Sequence, residues 1–210
     1  MQYEYPPILF PNQSWLNQYS SQDAKKWFEY YISKIPERLQ VLHEHINATP
    51  GYETWKLGFE SSTVNAIEQW FIEHVEMRDK TKEEIERDRD RIPDKLKNAV
   101  PVETTTLSNK TYSLIVDLSM YYGEYLRHED PRLKWVLRKK GKREFFYQNP
   151  VIVGTGLLAL DPRHIMTVIA FKISDNEYKA GGLIELKDRW IRNLWLEKNQ
   201  PLEGLEKRLK

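Results

Sequence analysis

The segment from Ser108 to His128 constrains the fold more than any other part of the sequence. Apolar residues recur along it with the three- and four-residue spacing of one helix face, and Ser108 has the position of an N-cap. A helix of this length spans about 30 Å. The other elements therefore have to pack around it. Its predicted apolar face consists of Leu114, Ile115, Leu118, Tyr122, Tyr125 and Leu126.

Apolar spacing predicts further helices in the N-terminal half of the chain. A first helix begins at Ser21 and is interrupted at Pro36, where a second helix starts and continues to about Asn47. Ser61 or Ser62 is placed to cap a third helix, whose apolar positions recur with the same spacing. This half of the chain is therefore predicted to be mainly helical.

A capping box predicts a charged helix next. Thr81 and Glu84 have the required spacing, in which each side chain accepts a hydrogen bond from the backbone N–H of the other residue. The run from Arg78 to Arg91 contains six acidic and six basic residues. Because its charges cancel, this run is predicted to be a solvated helix with internal ion pairs.

Short strands are predicted after the long helix, at residues 133–138, 143–147 and 151–155. These segments are rich in β-branched and aromatic residues and are separated by turn sequences. We expect a small antiparallel sheet, at about residues 133–155, that packs against the long central helix at about residues 108–128. The predicted fold class is α+β and mainly helical.

The C-terminal part is predicted to return to helix. Asp161 precedes Pro162 as an N-cap precedes a first-turn proline, so residues 163–173 are predicted to be helical. The β-branched residues in this segment would also suit a strand. A last amphipathic helix is predicted from Leu183 to about Leu196.

The whole chain, residues 1–210, is predicted to form a single domain, because no repeat or linker divides it. Residues 1–20 contain Pro6, Pro7 and Pro11 among aromatic residues, which predicts an extended arm that packs those aromatic rings on the body. Residues 197–210 are predicted to be a charged tail.

Composition narrows the possible functions. The formal net charge of +1 comes from 32 basic and 31 acidic residues, so no global field attracts nucleic acid or an anionic membrane. The absence of cysteine excludes disulfides, thiolate metal sites and a cysteine nucleophile. The chain has no run of about 18 apolar residues and no signal-peptide pattern at its start. We expect a cytoplasmic protein without membrane association.

The sequence contains no motif for a cofactor or a metal ion. Phosphate-binding and dinucleotide-binding glycine loops, a zinc-binding His-Glu-x-x-His helix and a hydrolase Gly-x-Ser-x-Gly turn are missing. Gly154 and Gly156 favour a bend or a close backbone approach over phosphate binding. His43 and His45 point about 200° apart on a helix and cannot share a metal ion. No cofactor and no metal are expected.

Titratable residues nevertheless form a stripe on the long helix. Asp117, Tyr121, Glu124 and His128 lie within about 60° of arc, beside the apolar face. Partial burial would raise carboxylate pKa values and permit acid or base chemistry. A hydrolase-like site would then use Glu124 as the acid or base, Asp117 as its partner and His128 to orient it.

Boundary ion pairs are the favoured interpretation of the same stripe. In that interpretation the two carboxylates pair with Arg132, Arg163 or another cation, and Glu124 with His128 supports the helix. Gly123, in the middle of the helix, indicates that a neighbouring element approaches closely there.

A basic cluster between residues 132 and 143 suggests a nucleic-acid-binding hairpin, with cations on phosphates and aromatic rings stacked on bases. An ordinary solvated turn is favoured, because the rings that follow alternate and some are expected to face the core. We therefore expect no nucleic-acid binding. The residues that would carry such binding are Arg138, Lys139, Lys140, Lys142 and Arg143.

Four short motifs give the sequence a resemblance to a group of uncharacterised bacterial proteins: residues 117–124, Lys134-Trp135, residues 148–151 and residues 161–163. The resemblance covers about residues 65–195. It implies a small cytoplasmic domain, and some proteins of this group are associated with contact-dependent toxin and immunity systems.

The resemblance assigns no catalytic residue. It implies that Asp117, Glu124 and Asn149 belong to one structural or functional centre. Tyr121, Trp135, Asn149 and Arg163 are the corresponding candidate binding residues.

A non-catalytic protein-binding module, of immunity type, is the function that this sequence favours, with another protein as the partner. The first alternative is the hydrolase-like site at Asp117, Glu124 and His128. The second is nucleic-acid binding by the hairpin at residues 132–143.

Overall fold

The computed structural model describes residues 5–8, 19–139, 141, 146–156 and 158–195. Within them the chain forms six α-helices and two small antiparallel sheets, which confirms a mainly helical α+β fold. The helices are α1 (Ser21–Asn47), α2 (Ser61–His74), α3 (Lys82–Arg91), α4 (Asn109–Glu129), α5 (Pro162–Ser174) and α6 (Gly182–Trp195). The strands are β1 (Met77–Asp79), β2 (Thr105–Leu107), β3 (Lys134–Leu137), β4 (Pro150–Val153) and β5 (Ala159–Leu160).

Helix α4 is the centre of the core. The Ser108 side chain accepts a hydrogen bond from the Thr111 N–H, as its predicted capping role requires. Helices α1 and α5 pack along α4, and its residues 113–123 are buried without interruption. The predicted apolar face is therefore buried, and so are Asp117 and Tyr121 of the titratable stripe.

The predicted interruption of the first helix at Pro36 is wrong. Helix α1 is continuous, and Pro36 lies inside it on the exposed side. A proline in a helix removes one backbone hydrogen bond. The burial of one face of α1 against the core outweighs this loss, because its buried residues recur on both sides of the proline: Trp27, Tyr31, Ile35, Arg38, Leu42 and Ile46.

The helix caps follow the sequence in most places. Thr81 and Glu84 form the predicted capping box, and the Asp161 side chain accepts from the backbone N–H groups of Arg163 and His164, so residues 163–173 are helical. The serine cap predicted for α2 is wrong. Ser61 is already the first helical residue, and Glu60 at the cap position makes no side-chain capping bond.

The predicted sheet is present, with strand order β3-β4-β5 and antiparallel pairing throughout. The predicted strand at residues 143–147 is not observed, since Phe146 and Tyr147 lie in a turn and residues 143–145 are outside the described part. Gln148 follows with a φ of 63°, in the left-handed region, and its backbone N–H bonds to the Arg138 carbonyl.

A second sheet, formed by β1 and β2, was not predicted. Asp79 is paired with Thr105, so residues 80–104 leave the body of the fold and return to it at the same end of this two-stranded sheet. We call residues 80–104 the projection. None of its residues is buried, so it adds nothing to the hydrophobic core.

Helix α6 receives its N-terminal cap from α2. The Glu68 carboxylate is 1% exposed and accepts hydrogen bonds from the backbone N–H groups of Gly181 and Leu183 and from the Tyr178 hydroxyl. These donors replace the water that a buried carboxylate loses.

The described part of the predicted N-terminal arm is packed on the body. Tyr5 is 2% and Ile8 is 8% exposed. Three arm aromatics, Tyr3, Phe10 and Trp15, and the predicted tail at residues 197–210 lie outside the described residues. The single-domain organisation of residues 1–210 stays a prediction.

Gly123 admits a close neighbour, as the sequence indicated, and the neighbour is Trp135 of β3. A methyl group at Gly123 would lie 2.0 Å from Cζ2 of the Trp135 ring. The absence of that methyl lets the Trp135 ring cross α4 and also contact Tyr31 of α1. The two rings meet edge to face, with their centroids 5.6 Å apart. The contact joins the sheet to both helices.

We expect Gly123→Ala to lower the free energy of unfolding by about 1–3 kcal/mol, because the displaced ring outweighs the better helix propensity of alanine. Urea denaturation measures the change. In a Trp135→Ala background the obstacle is gone, so the same substitution should be neutral or stabilising. An equal loss in both backgrounds would contradict the assignment to Trp135.

Candidate functional site

Asp117, the first residue of the titratable stripe, is fully buried and forms an ion pair with Arg38 of α1. Nε and Nη2 of Arg38 donate to its two carboxylate oxygens at 2.8 and 2.7 Å. The Tyr5 hydroxyl donates to Oδ2 as well. Arg38 is 6% exposed and also donates to the Pro6 carbonyl at 2.8 Å.

Burial raises the pKa of the Asp117 carboxyl, and the hydrogen bonds from Arg38 and Tyr5 oppose that shift. A carboxylate with no exposed surface and three donated hydrogen bonds has no open position for a substrate. Its surroundings are those of a structural ion pair.

Glu124 and His128 have other surroundings. Glu124 accepts hydrogen bonds from Arg127 at 2.8 and 2.9 Å and from the Trp135 indole N–H at 2.7 Å. The His128 side chain is 61% exposed and its ring lies 5.1 Å from that of Phe59. Ion pairs were the favoured interpretation, and they are formed with Arg38 and Arg127, not with Arg132 or Arg163.

The three candidate catalytic residues are therefore divided between the core and the surface. Asp117 is in the core, Glu124 is half-buried, and His128 faces solvent. Each has a different set of neighbours, and the described contacts do not join them into one centre.

The candidate binding residues have structural contacts. Tyr121 is 1% exposed and donates to the Gly58 carbonyl at 2.7 Å. The half-buried Trp135 makes the contacts described above. The Asn149 amide donates to Asp161 at 2.7 Å, and Asp161 in turn caps α5 through the Arg163 N–H. Asn149 thus belongs to the junction of β4 with α5, and its described bonds do not connect it to Asp117 or Glu124.

Part of the basic cluster is described. Arg132 pairs with Asp130 at 2.8 Å and its guanidinium lies 4.3 Å from the Trp195 ring centroid. Arg138 follows β3, with its backbone bonded to that of Asn149, and Lys139 is exposed. Lys140, Lys142 and Arg143 lie outside the described residues, so the nucleic-acid alternative stays a prediction.

In the described part of the chain, no three or more histidine, aspartate or glutamate side chains are grouped as ligands for a metal ion. His43 bonds to the Trp55 carbonyl and to Asn47. His45 lies edge-on to Tyr5 and Trp70.

None of the described helices is both long and apolar enough to cross a bilayer.

The projection carries two large, exposed apolar side chains. Among the described residues, seven large apolar side chains are exposed. Two of them, Leu96 and Val100, are on the projection and are each 42% exposed, and Met77 and Tyr112 beside its base are each 40% exposed. Leu96 and Val100 lie close together, since the Val100 N–H donates to the Leu96 carbonyl at 3.0 Å.

Ion pairs brace the projection against its own base. Arg78 of β1 donates from both terminal nitrogens to Glu84 of α3, each at 2.7 Å. Within the projection, its first residue, Lys80, pairs with Asp88 of α3 at 2.9 Å. These bonds hold α3 in a defined orientation although none of its residues is buried.

No protein-family model, curated protein or solved structure matches this chain. The resemblance to uncharacterised bacterial proteins stays a prediction.

Two features of these regions escaped the sequence analysis. Arg38 stands among apolar residues, between Ile35 and Leu42 on the inner face of α1, and a cation there indicates a buried partner. The exposed Leu96 and Val100 carried no signal, because isolated apolar residues in a loop have no periodicity that reveals their exposure.

We expect Asp117→Ala to lower the free energy of unfolding by about 3–5 kcal/mol, because Arg38 would remain buried without its partner. Replacement of both residues, Asp117→Leu with Arg38→Met, should be less damaging than the single change. Guanidinium denaturation of the two variants makes the comparison. A single variant as stable as the wild type would show that the pair is not structural.

The bracing of α3 should depend on pH. The hydrogen bonds from Arg78, followed by that from the Thr81 N–H, lower the pKa of Glu84 from 4.5 to about 2. A depressed folded-state pKa stabilises α3 above pH 4.5, and this contribution is lost as the pH falls through about 2. An NMR titration of the Glu84 carboxyl should show it, and Arg78→Ala should raise that pKa towards its ordinary value.

Proposed function

We propose that the protein is a non-catalytic binding module that recognises another protein through the projection. The observation that carries this proposal is a 25-residue excursion, residues 80–104, that has no buried residue and presents Leu96 and Val100 to solvent. Clustered exposed apolar side chains on a folded surface are typical of sites for protein partners.

Energetics support a role in recognition. Ordering a residue costs about 1–2 kcal/mol of backbone entropy. The projection offsets none of this cost by burying side chains in the core. Surface ion pairs such as those of Arg78 and Lys80 contribute about 0–1 kcal/mol each. They orient α3 more than they stabilise the fold. A partner that covers Leu96 and Val100 would gain roughly 1 kcal/mol from each.

The surroundings of the titratable stripe give the enzyme alternative less support. Asp117 is closed off by Arg38 and Tyr5, and Glu124 is engaged by Arg127 and Trp135. A general acid or base needs to reach a proton of the substrate, and a fully buried carboxylate does not reach one.

An immunity protein is the finer form of the proposal, with a toxin as its partner. It rests on the resemblance of short motifs alone. It requires that the captured partner arrests growth when it is expressed by itself and that this protein relieves the arrest.

The projection can be removed without disturbing its base. Lys80 and Thr104 face each other across the ribbon, with the Lys80 N–H bonded to the Thr104 carbonyl at 2.8 Å, so an Asn-Gly turn in place of residues 81–103 should close a tight hairpin. We expect the free energy of unfolding of this variant to be at most about 0.5 kcal/mol lower than that of the wild type.

Quantitative affinity capture from cells that make the protein, with wild type and hairpin variant side by side, tests the proposal. A stoichiometric partner should be recovered with the wild type and lost with the hairpin variant. The matched control keeps the projection and changes only its apolar surface, as Leu96→Asp with Val100→Asp, and it should lose the same partner. Equal capture by all three proteins would refute recognition through the projection.

A further inference from the structure

The short segment Tyr5–Ile8 occupies its place in the fold as a bound peptide would. It forms neither helix nor strand. Tyr5 and Ile8 are buried at its two ends, whereas Pro7 between them is exposed. Two successive prolines restrict such a segment before it binds, which lowers the entropy lost on docking.

The groove that holds this segment contacts both side-chain and backbone groups of the segment. Asp117 of α4 accepts the Tyr5 hydroxyl, and Arg38 of α1 donates to the Pro6 carbonyl at 2.8 Å. The Tyr5 ring meets His45 edge to face at 4.7 Å. Ile8 lies at a small surface depression that is also lined by Asn109, Tyr112 and Ser113.

The groove does not need the segment for its own charge balance. Arg38 and Asp117 neutralise each other through two hydrogen bonds that do not involve Tyr5. The segment adds a neutral phenol and a neutral carbonyl to that pair. Its departure would therefore leave no uncompensated charge in the groove, in contrast to the loss of either partner of the pair.

We propose that this groove is an exchangeable binding site for a Tyr-Pro-Pro-Ile segment and that the segment of a second copy of the chain can fill it. The occupant from a second copy is chemically identical to the resident one, so every contact is preserved and no new interface is needed. Ile8 and Ser20 are separated by twelve peptide steps, which reach at most about 40 Å, enough to enter a neighbouring molecule.

Chain concentration decides between the two arrangements. The resident segment is covalently attached, so its effective concentration at the groove exceeds that of a second copy when the protein is dilute. The wild type should therefore be monomeric at low concentration, and exchange should appear when the resident segment is defective. This inference does not require the projection to have a partner.

Two complementary full-length variants test the exchange. In the first, Tyr5→Ala with Ile8→Ala leaves an intact groove without a competent segment. In the second, Asp117→Leu with Arg38→Met leaves a competent segment without its groove. Sedimentation equilibrium at about 500 µM should give the monomer mass of 25.2 kDa for each variant alone and a higher average mass for their mixture.

A mixture that stays monomeric, with both variants folded by near-ultraviolet circular dichroism, would overturn the proposal. If the first variant does not fold alone, a peptide of residues 4–9 at about 1 mM should restore its near-ultraviolet signal, and no recovery overturns the proposal equally. The same peptide with phenylalanine in place of Tyr5 should bind at least about tenfold more weakly, because it cannot donate to Asp117. Equal binding of the two peptides would contradict the role given to the ion pair.

Discussion

Burial of the Asp117 carboxylate on the core side of the central helix imposes a requirement that the rest of the structure meets. The effective desolvation penalty of such a group is several kcal/mol, so α4 can enter the core only where a cation arrives with it. Arg38 supplies that cation from α1, 79 residues away, and Tyr5 completes the shell. The hydrogen bond of Tyr31 to Ser119, at 3.0 Å, lies further along the same two helices. Together these bonds fix the register of α1 on α4, which packing of apolar side chains alone specifies less sharply.

Most of the helix caps were predicted correctly from the sequence, apart from the cap of α2, whereas contacts between distant parts of the chain were not. The caps at Thr81, Ser108 and Asp161 were predictable because a capping side chain and the backbone N–H that donates to it lie within a few residues of each other. Pro36 was misjudged because its local cost is outweighed by packing on both sides of it, and packing is not visible in a short window. For the site, the stripe on α4 was found, but its division between core and surface depends on partners such as Arg38 that only the folded chain brings near.

The titratable stripe on α4 illustrates how residues along one side of a helix acquire different roles. The Asp117 carboxylate, near the middle of α4, is enclosed and has a structural role. His128, near the C-terminal end, is exposed to solvent. A functional surface is better sought where a segment is ordered although it buries no side chains in the core. The projection fits that description, since its order is maintained by charged side chains at the surface while Leu96 and Val100 stay uncovered. This arrangement is consistent with recognition of a macromolecule and gives less support to chemistry on a small substrate.

The cap that Glu68 provides for α6 has a consequence for the order in which the chain can fold. Glu68 is separated from Gly181 by 113 residues, so during synthesis α2 is made long before the N–H groups that it will cap. Until those residues arrive, the carboxylate must stay hydrated, and α2 cannot reach its final buried position. Helix α6 is thus required to complete the surroundings of α2. A nascent chain that stops short of α6 would lack the N–H groups that bond to Glu68, which links the burial of this part of α2 to the arrival of α6.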